Sequence, residues 1–237
     1  MPTEVTAPGP WQPATVCAIR DETASAKTFS LRLARPSPHL AGQHYIVRLT
    51  APDGYSASRS YSVASAPDGS PQIDITVERL PGGEVSTFLH DEVVSGDELE
   101  VRGPIGGWFV WRGETPAILI GGGSGIVPLM AMLRLARRQG TTDLVRLIVS
   151  VRTPDDLYYA EELPGPESTI IFTRESPTRV ARATGRLTEE DLVSVLLPRA
   201  EAFVCGSSAF ADAAAAIAMN TGIAIERIRI ERFGPTG

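Results

Sequence analysis

The segment Arg59-Ser60-Tyr61-Ser62 places a cation, an aromatic ring and a hydroxyl group within four residues. Arginine can bind two oxygens of a phosphate or carboxylate at once, and an aromatic ring offers a flat face on which a planar ligand can stack. Alternating strands of this composition also occur in barrels without cofactors. The segment therefore indicates a ligand site only together with a second signal.

The second signal is a run of small residues, Gly121-Gly122-Gly123-Ser124-Gly125, between an apolar strand and a helical pattern. A glycine turn in this position exposes backbone N–H groups at a helix N-terminus, and these groups bind diphosphates. Pro128 stands where the third glycine of a regular G-x-G-x-x-G motif would fall, and proline is favoured in a first helical turn. The pattern predicts a nucleotide-binding turn.

The composition excludes several classes of function. The chain has 237 residues, enough for two domains, and its net charge of −6 argues against non-specific nucleic-acid binding. Two cysteines, Cys17 and Cys205, are too few for an iron–sulfur cluster, and the histidines lack metal-ligand spacing. The uncharged stretch Thr115–Leu133 contains glycines and a proline, which favour a strand, turn and helix over a membrane span. We expect a cytoplasmic protein without a metal.

Short runs of β-branched and alternating residues, separated by Pro- and Gly-rich turns, fill the first hundred or so residues. Such runs predict a small antiparallel β-barrel of six strands, with a helix at Glu84–Val93 covering one end. The predicted strands are Ala14–Ile19, Thr28–Leu33, His44–Leu49, Ser60–Val63, Ile73–Glu78 and Glu98–Arg102.

Beyond Arg112 strands alternate with helices, which predicts an α/β doubly wound parallel sheet. We therefore expect two domains, residues 1–112 and 113–237. The predicted strands are Ala117–Ile120, Leu144–Val151, Thr169–Thr173, Ala202–Cys205 and Arg227–Glu231, and the predicted helices are Val127–Arg138, Asp155–Leu163, Thr188–Leu197 and Ser208–Asn220.

Four motifs in fixed order carry a family resemblance: residues 59–62, Gly103-Pro104-Ile105-Gly106, the glycine turn and Cys205-Gly206. The chain resembles the ferredoxin–NADP⁺ reductase family in this order, from Trp11 to Phe233. The resemblance implies an FAD-binding barrel followed by an NAD(P)-binding domain. It also implies that Arg59 pairs with the FAD diphosphate, that Tyr61 stacks on the flavin, and that Ser62 lies near flavin N5.

The resemblance implies further roles in the second domain and at the C-terminus. Cys205 would lie beside the nicotinamide ring, Glu231 would place a carboxylate next to the flavin, and Phe233 would cover the second flavin face. With Ser62, these three residues form the predicted catalytic set, although Cys205 and Phe233 could also be packing residues. The predicted cofactor-binding residues are Arg59, Ser60, Tyr61, Ser62, Val77, Glu78, Arg79, Gly83, Glu84, Val85, Ser86, Gly122, Gly123, Ser124, Gly125, Pro128, Arg152, Thr173, Arg174, Cys205, Gly206 and Phe233.

The identity of the nucleotide rests on the ends of two strands. NAD-selective folds often carry an acid about 20 residues after the glycines, to bind the ribose 2′-hydroxyl. Here Arg152 takes that place, and Thr173-Arg174 ends the next strand. These arginines, helped by Arg179 and Arg182, could bind the 2′-phosphate of NADP, whereas Glu175 would repel it. We expect FAD and NADP as cofactors, with NAD as the alternative.

The resemblance predicts that hydride passes from NAD(P)H to FAD, and that single electrons then pass to a separate ferredoxin, flavodoxin or oxygenase component. The basic residues Arg20, Lys27, Arg32 and Arg35 are candidates for the docking surface. We expect a monomer, the usual state of this family. The alternatives are an NAD(P)H-dependent flavin or quinone reductase and a regulatory module that binds nucleotides without turnover.

Overall fold

The computed structural model describes residues 9–178 and 182–234. Its first sheet is antiparallel and has six strands in the order β4-β3-β6-β1-β2-β5. A bridge between Val63 and Ile75, with the Ala64 N–H donating to the Asp74 carbonyl at 2.7 Å, joins the end of β4 to β5. The sheet thereby closes, and the predicted barrel is confirmed. Its strands are β1 (Gln12–Thr23), β2 (Ala26–Leu33), β3 (His44–Thr50), β4 (Ser56–Ser62), β5 (Gln72–Glu78) and β6 (Glu98–Ile105).

Alternating residues of these strands fill the barrel with a single apolar core that includes Phe29, Tyr45 and Val101. Helix α1 (Glu84–Asp91) covers one end, because Val85 and Leu89 on one side of the helix are buried in the same core. The core thus sets the positions of both the outward-facing residues of β4 and the N-terminus of α1.

The second sheet is parallel, in the order β11-β10-β7-β8-β9. Helix α2 (Ile126–Gln139) packs on the face that carries Leu119, whereas α3 (Glu189–Val193) and α4 (Ser208–Asn220) pack on the face that carries Ile118. Helices on both faces make the sheet doubly wound, as predicted. The strands are β7 (Ala117–Gly122), β8 (Val145–Val151), β9 (Ser168–Phe172), β10 (Glu201–Ser207) and β11 (Ile228–Phe233).

Local signals account for the helix ends. Gly140 ends α2 in the left-handed region at φ 70°, where glycine has no steric penalty. Thr188 begins α3 with a capping box in which its hydroxyl accepts a hydrogen bond from the Asp191 N–H. Helix α3 is only five residues long, shorter than the predicted Thr188–Leu197.

The predicted helix at Asp155–Leu163 is wrong. The segment begins with a single 3₁₀ turn at Pro154–Asp156 and continues as irregular structure, with Tyr159 at φ 57°. Leu157, Tyr158 and Tyr159 are all buried. A right-handed helix needs a φ of about −60° at every residue, so the backbone of Tyr159 breaks any helix through this segment.

Residues 106–116 connect the two sheets. Trp111 anchors this connection, because its backbone N–H donates to the Ala41 carbonyl and its indole N–H donates to the Thr115 carbonyl at 2.9 Å. The predicted domain boundary at Arg112 lies within the connection and stays a prediction. Across residues 9–178 and 182–234, no helix is both long and apolar enough to cross a membrane.

Candidate functional site

The glycine turn lies at the carboxyl edge of the parallel sheet. Gly121 ends the buried part of β7 and pairs with Cys205 on β10 and with Val149 on β8. A 3₁₀ turn at Gly123–Gly125 then leads directly into α2. Ligands of open parallel sheets bind at this edge, where the strand order reverses on either side of β7.

Two glycines of the turn are required by close packing. A Cβ atom on Gly125 would lie 2.2 Å from the Cys205 carbonyl oxygen, and one on Gly122 would lie 2.6 Å from the Phe210 ring. Gly123 instead has φ +54° and no heavy atom within 4 Å of a Cβ position. The turn is therefore closed against β10 on one side and open on the other, as a ligand cradle must be.

Two helices begin at this edge. Helix α2 starts after Gly125, and α4 starts after Ser207, whose hydroxyl accepts a hydrogen bond from the Phe210 N–H at 3.4 Å. Both N-termini, with their partial positive charges, lie at the same carboxyl edge, because β7 and β10 are neighbouring strands of the parallel sheet. The arrangement fits a diphosphate.

Cys205 and Glu231 are neighbours in register on β10 and β11. The Cys205 side chain is fully buried, and burial together with the nearby Glu231 charge raises the pKa of its thiol. The group is therefore an uncharged, polarizable thiol. Burial also raises the pKa of Glu231 to about 7, and its Oε2 atom is buried without a hydrogen-bond partner among the described residues.

The titration of Glu231 predicts a pH-dependent stability. Because the folded-state pKa of about 7 exceeds the ordinary 4.5, wild-type stability should fall as pH rises from 4.5 to 7 and stay level above that. Glu231→Gln should therefore stabilise the protein by up to about 3 kcal/mol at pH 8 and by much less at pH 5. Urea unfolding at the two pH values measures this difference.

The matched control for this change is Glu226→Gln, which alters an exposed carboxylate just before β11. It should change stability little at either pH. An equal effect of Glu231→Gln at pH 5 and pH 8 would contradict the raised pKa.

Phe233 ends β11 beside Ser207 and packs against the cluster that contains Cys205. The same cluster contains Ala64 of the barrel, two residues after Ser62. One apolar cluster therefore includes both Ala64, just after the end of β4, and Cys205 at the carboxyl edge of the parallel sheet.

The β4 residues are placed as a cofactor strand requires. Arg59 is exposed, its guanidinium donates only to the Ser58 carbonyl at 2.7 Å, and no described carboxylate pairs with it. Such a free guanidinium fits a diphosphate. Ser60 is exposed, Tyr61 packs partly on the barrel core, and Ser62 is 6% exposed. Burial raises the pKa of Tyr61, so its ring stays neutral and suited to stacking.

The second predicted flavin segment, at the N-terminus of α1, offers backbone rather than side chains. The Ser86 hydroxyl donates to the Gly83 carbonyl and accepts from the Leu80 N–H, both at 3.2 Å. Val85 is buried in the barrel core, and Glu84 accepts a hydrogen bond from the Tyr55 hydroxyl at 3.1 Å. The Ser86 hydroxyl thus bridges the turn before α1, and its predicted place in the cofactor site stays a prediction.

The residues at the end of β5 likewise form contacts within the barrel domain. The Val77 side chain lies in the core, Glu78 pairs in register with Ala26, and Arg79 forms an ion pair with Asp91 at 2.7 Å. Next to this region, a groove of about 920 Å³ runs between α1 and the β3–β4 hairpin, and Gly83 contributes to its wall.

The predicted nucleotide-selecting residues share one edge. Arg152 follows β8 and Arg174 follows β9, and the Arg174 N–H donates to the Arg152 carbonyl at 2.9 Å. Both side chains are exposed and form no ion pair with the described residues. Thr173, directly after β9, is half-buried. The Arg182 guanidinium pairs with Asp191 at 2.6 Å, so its help toward a 2′-phosphate stays a prediction, and Arg179 lies outside the described residues.

Two neighbours of the site are missing from the sequence-based set. His44 pairs with Ser62 in the β3–β4 register, and burial lowers its pKa, so the imidazole is neutral. Phe210 lies over Gly122 and Gly206. His44 could be identified only from the pairing of β3 with β4, which joins segments distant in sequence. Phe210 could be identified from its place three residues after an N-cap serine.

The four basic residues predicted as a docking surface all bond within the chain. Arg20 pairs with Glu22, Lys27 donates to the His90 carbonyl, Arg32 to the Cys17 sulfur and Arg35 to the Trp11 carbonyl. Their role toward a partner stays a prediction.

Two family models match this chain, one in each of its two halves. Residues 13–110 match the family model described as "Oxidoreductase FAD-binding domain", and residues 119–216 match the one described as "Oxidoreductase NAD-binding domain". The FAD/NAD-binding domain of nitric oxide dioxygenase from Vibrio cholerae has a similar structure, with a TM-score of 0.84, 25% identity and coverage of 94% of this chain and 99% of that one.

Two curated relatives are reductase components of oxygenase systems. The ferredoxin–NAD(P)⁺ reductase component of the naphthalene 1,2-dioxygenase system of Pseudomonas putida is 28% identical, over 94% of this chain and 69% of the relative. The glycine betaine monooxygenase reductase subunit of Pseudomonas aeruginosa is 31% identical, over 92% of this chain and 63% of the relative. The chain thus spans about two thirds of their length.

The fold, the glycine turn and both domain matches agree with the resemblance seen in the motifs. The chain has an FAD-binding domain and an NAD-binding domain, in that order. It therefore belongs to the ferredoxin–NADP⁺ reductase family and is an FAD- and NAD(P)-dependent oxidoreductase.

Proposed function

We propose that this protein takes a hydride from NADPH onto FAD and passes the electrons singly to a separate ferredoxin, flavodoxin or oxygenase component. The observation that carries the proposal is that one apolar cluster joins the two domains and includes both Ala64, just after β4, and Cys205. When bound, the flavin supplies the ability to accept an electron pair and release single electrons. The protein supplies binding and orientation.

On the barrel side, Arg59 binds the FAD diphosphate together with the backbone amides at the start of α1. Tyr61 would provide the stacking face for the flavin, and Ser62 would donate a hydrogen bond toward flavin N5. Support comes from the free guanidinium of Arg59 and from the neutral, half-buried ring of Tyr61. The groove beside Gly83 has room for the adenosine end.

On the other side, the glycine turn and the N-terminus of α2 bind the diphosphate of the nicotinamide nucleotide. The uncharged Cys205 thiol packs beside the nicotinamide, since a small side chain there permits close approach to the flavin. Phe233, which packs against the cluster that contains Cys205, would cover one face of the flavin. Glu231, with its pKa of about 7, holds or releases a proton at Oε2 near neutral pH.

We propose NADPH as the preferred nucleotide because Arg152 and Arg174 are exposed at one edge without ion pairs among the described residues. Arg174→Ala should raise the KM for NADPH about tenfold and leave the KM for NADH unchanged, because only NADPH carries a 2′-phosphate. Steady-state kinetics with both nucleotides, using ferricyanide as acceptor, measures this.

The control for nucleotide selection is Arg227→Ala, which removes an exposed arginine at the opposite, amino edge of the sheet. It should alter neither KM. An equal rise of both KM values in Arg174→Ala would remove the preference for NADPH.

The acceptor is tested by comparing reduction of a [2Fe–2S] ferredoxin with reduction of free flavin under NADPH. The proposal predicts a higher kcat/KM for ferredoxin. A higher value for free flavin would make the protein a flavin reductase, and no reduction of any acceptor would make it a nucleotide-binding module.

We also propose that the protein works as a monomer in the cytoplasm, as the sequence indicates.

A further inference from the structure

A hydrogen-bonded network joins the two domains away from the proposed cofactor residues. The Tyr159 hydroxyl lies 2.7 Å from Thr76 Oγ1, which lies 2.7 Å from Thr28 Oγ1, and Thr28 donates to Glu22 Oε1 at 2.7 Å. The Tyr159 backbone N–H donates to the other oxygen of Glu22 at 3.1 Å. Tyr159 belongs to the NAD-binding domain and the other three residues to the barrel, so the ring of bonds closes across the interface.

The carboxylate of Glu22, the last group of the network, decides which group donates in each hydrogen bond. A carboxylate can only accept hydrogen bonds, so Thr28 donates its single hydroxyl hydrogen to Glu22. Thr76 must then donate to Thr28, and Tyr159 must donate to Thr76. Every hydroxyl is satisfied in one defined order, and Thr28, Thr76 and Tyr159 are buried. Networks that are buried and fully satisfied rigidify what they connect.

Arg134 on α2 adds a second connection. Its guanidinium donates to the Ala64 carbonyl at 2.8 Å, pairs with Glu162, and lies 4.7 Å from the centre of the Tyr159 ring. Ala64 is two residues after Ser62, and α2 begins directly after the glycine turn. One rigid helix therefore connects the proposed nucleotide turn with the strand proposed to hold the flavin.

We propose that Arg134 and Tyr159 are positioning residues, which fix the NAD-binding domain against the barrel and so set the approach of the nicotinamide to the flavin. The inference rests on the proposed function, since the two cofactors are assigned to different domains. Hydride transfer requires reacting atoms about 3–3.5 Å apart, and a misplacement of about 1 Å can cost a hundredfold in rate. The backbone of Tyr159 in the left-handed region, at φ 57°, is the local strain that this contact sustains.

The test replaces Arg134 by Lys in the FAD-bound enzyme. Arg134→Lys keeps the charge beside Glu162 but removes the planar fork that also reaches Ala64. Stopped-flow reduction of the flavin by NADPH should slow about tenfold, and oxidation of the reduced enzyme by ferricyanide should stay unchanged, because that step needs only the barrel. Amide hydrogen exchange at Tyr159 should speed up, while exchange in β7 should not.

Matched controls lie next to both residues. Arg137→Lys changes the same residue type on the same helix, but Arg137 bonds only Glu162 and Glu167 of its own domain and no described barrel residue. Tyr159→Phe removes the interdomain hydroxyl, whereas Tyr158→Phe removes a hydroxyl that makes no hydrogen bond to the described residues. Arg134→Lys and Tyr159→Phe should slow flavin reduction and speed exchange at residue 159, and the two controls should do neither.

Equal reduction rates in Arg134→Lys and Arg137→Lys, or an equal fall in reduction by NADPH and in oxidation by ferricyanide, would overturn the positioning role. A wild-type flavin that NADPH does not reduce would instead overturn the proposed function, so the two failures are distinguishable. The exchange measurement is independent of activity.

Discussion

Gly125→Ala is expected to weaken NADP⁺ binding about a hundredfold and to destabilise the NAD-binding domain by about 2–3 kcal/mol. The added Cβ would lie 2.2 Å from the Cys205 carbonyl oxygen, a backbone atom that cannot rotate away. The turn must therefore move away from β10. This movement displaces both the proposed diphosphate site and the backbone around Cys205. Titration calorimetry with NADP⁺ and urea unfolding measure the two effects.

Gly140→Ala controls for the general cost of removing a glycine. Gly140 ends the same helix at φ 70° with no heavy atom within 4 Å of a Cβ position, so alanine there costs about 1 kcal/mol of backbone strain without moving the turn. Gly125→Ala should also keep its FAD, because the barrel has its own core. Unchanged NADP⁺ affinity in Gly125→Ala would show that the turn is not the diphosphate site.

Ser62→Ala is expected to slow flavin reduction by NADPH about a hundredfold while FAD stays bound. A hydrogen-bond donor aimed at a reacting atom typically contributes about this much to the rate, whereas one lost hydroxyl costs little binding of a large cofactor. Ser62 is 6% exposed at the end of β4, so alanine fits its place without a clash. Stopped-flow absorbance measures the rate, and the absorbance ratio of flavin to protein measures FAD content.

The same strand offers the control for this prediction. Ser56→Ala removes an exposed hydroxyl at the start of β4, far along the strand from Ser62, and should change neither rate nor FAD content. A normal reduction rate in Ser62→Ala would remove Ser62 from the proposed site.

The predicted elements succeeded where local signals are strong. Helix α4 has the predicted limits, and α2 exceeds its prediction by one residue at each end, because Gly140 and the glycine turn mark those ends. The six barrel strands were also predictable from alternation. Their spatial order and the closing bridge between Val63 and Ile75 were not, since both depend on pairing between distant segments.

The wrong helix prediction has a physical cause, which is a long-range contact that overrides a local preference. Asp155–Leu163 carries a helical pattern, yet Tyr159 turns toward Thr76 of the other domain. The strand-end motifs of the site were predictable because parallel strands bring their carboxyl ends to one edge, whatever the loops do.

The most direct test of the central claim is anaerobic addition of NADPH to the purified, FAD-containing protein. If the β4 end and the Cys205 edge hold the two cofactors against each other, one equivalent of NADPH should bleach the flavin absorbance within a single rapid phase. A colourless protein, or a yellow protein whose absorbance NADPH leaves unchanged, would contradict the account.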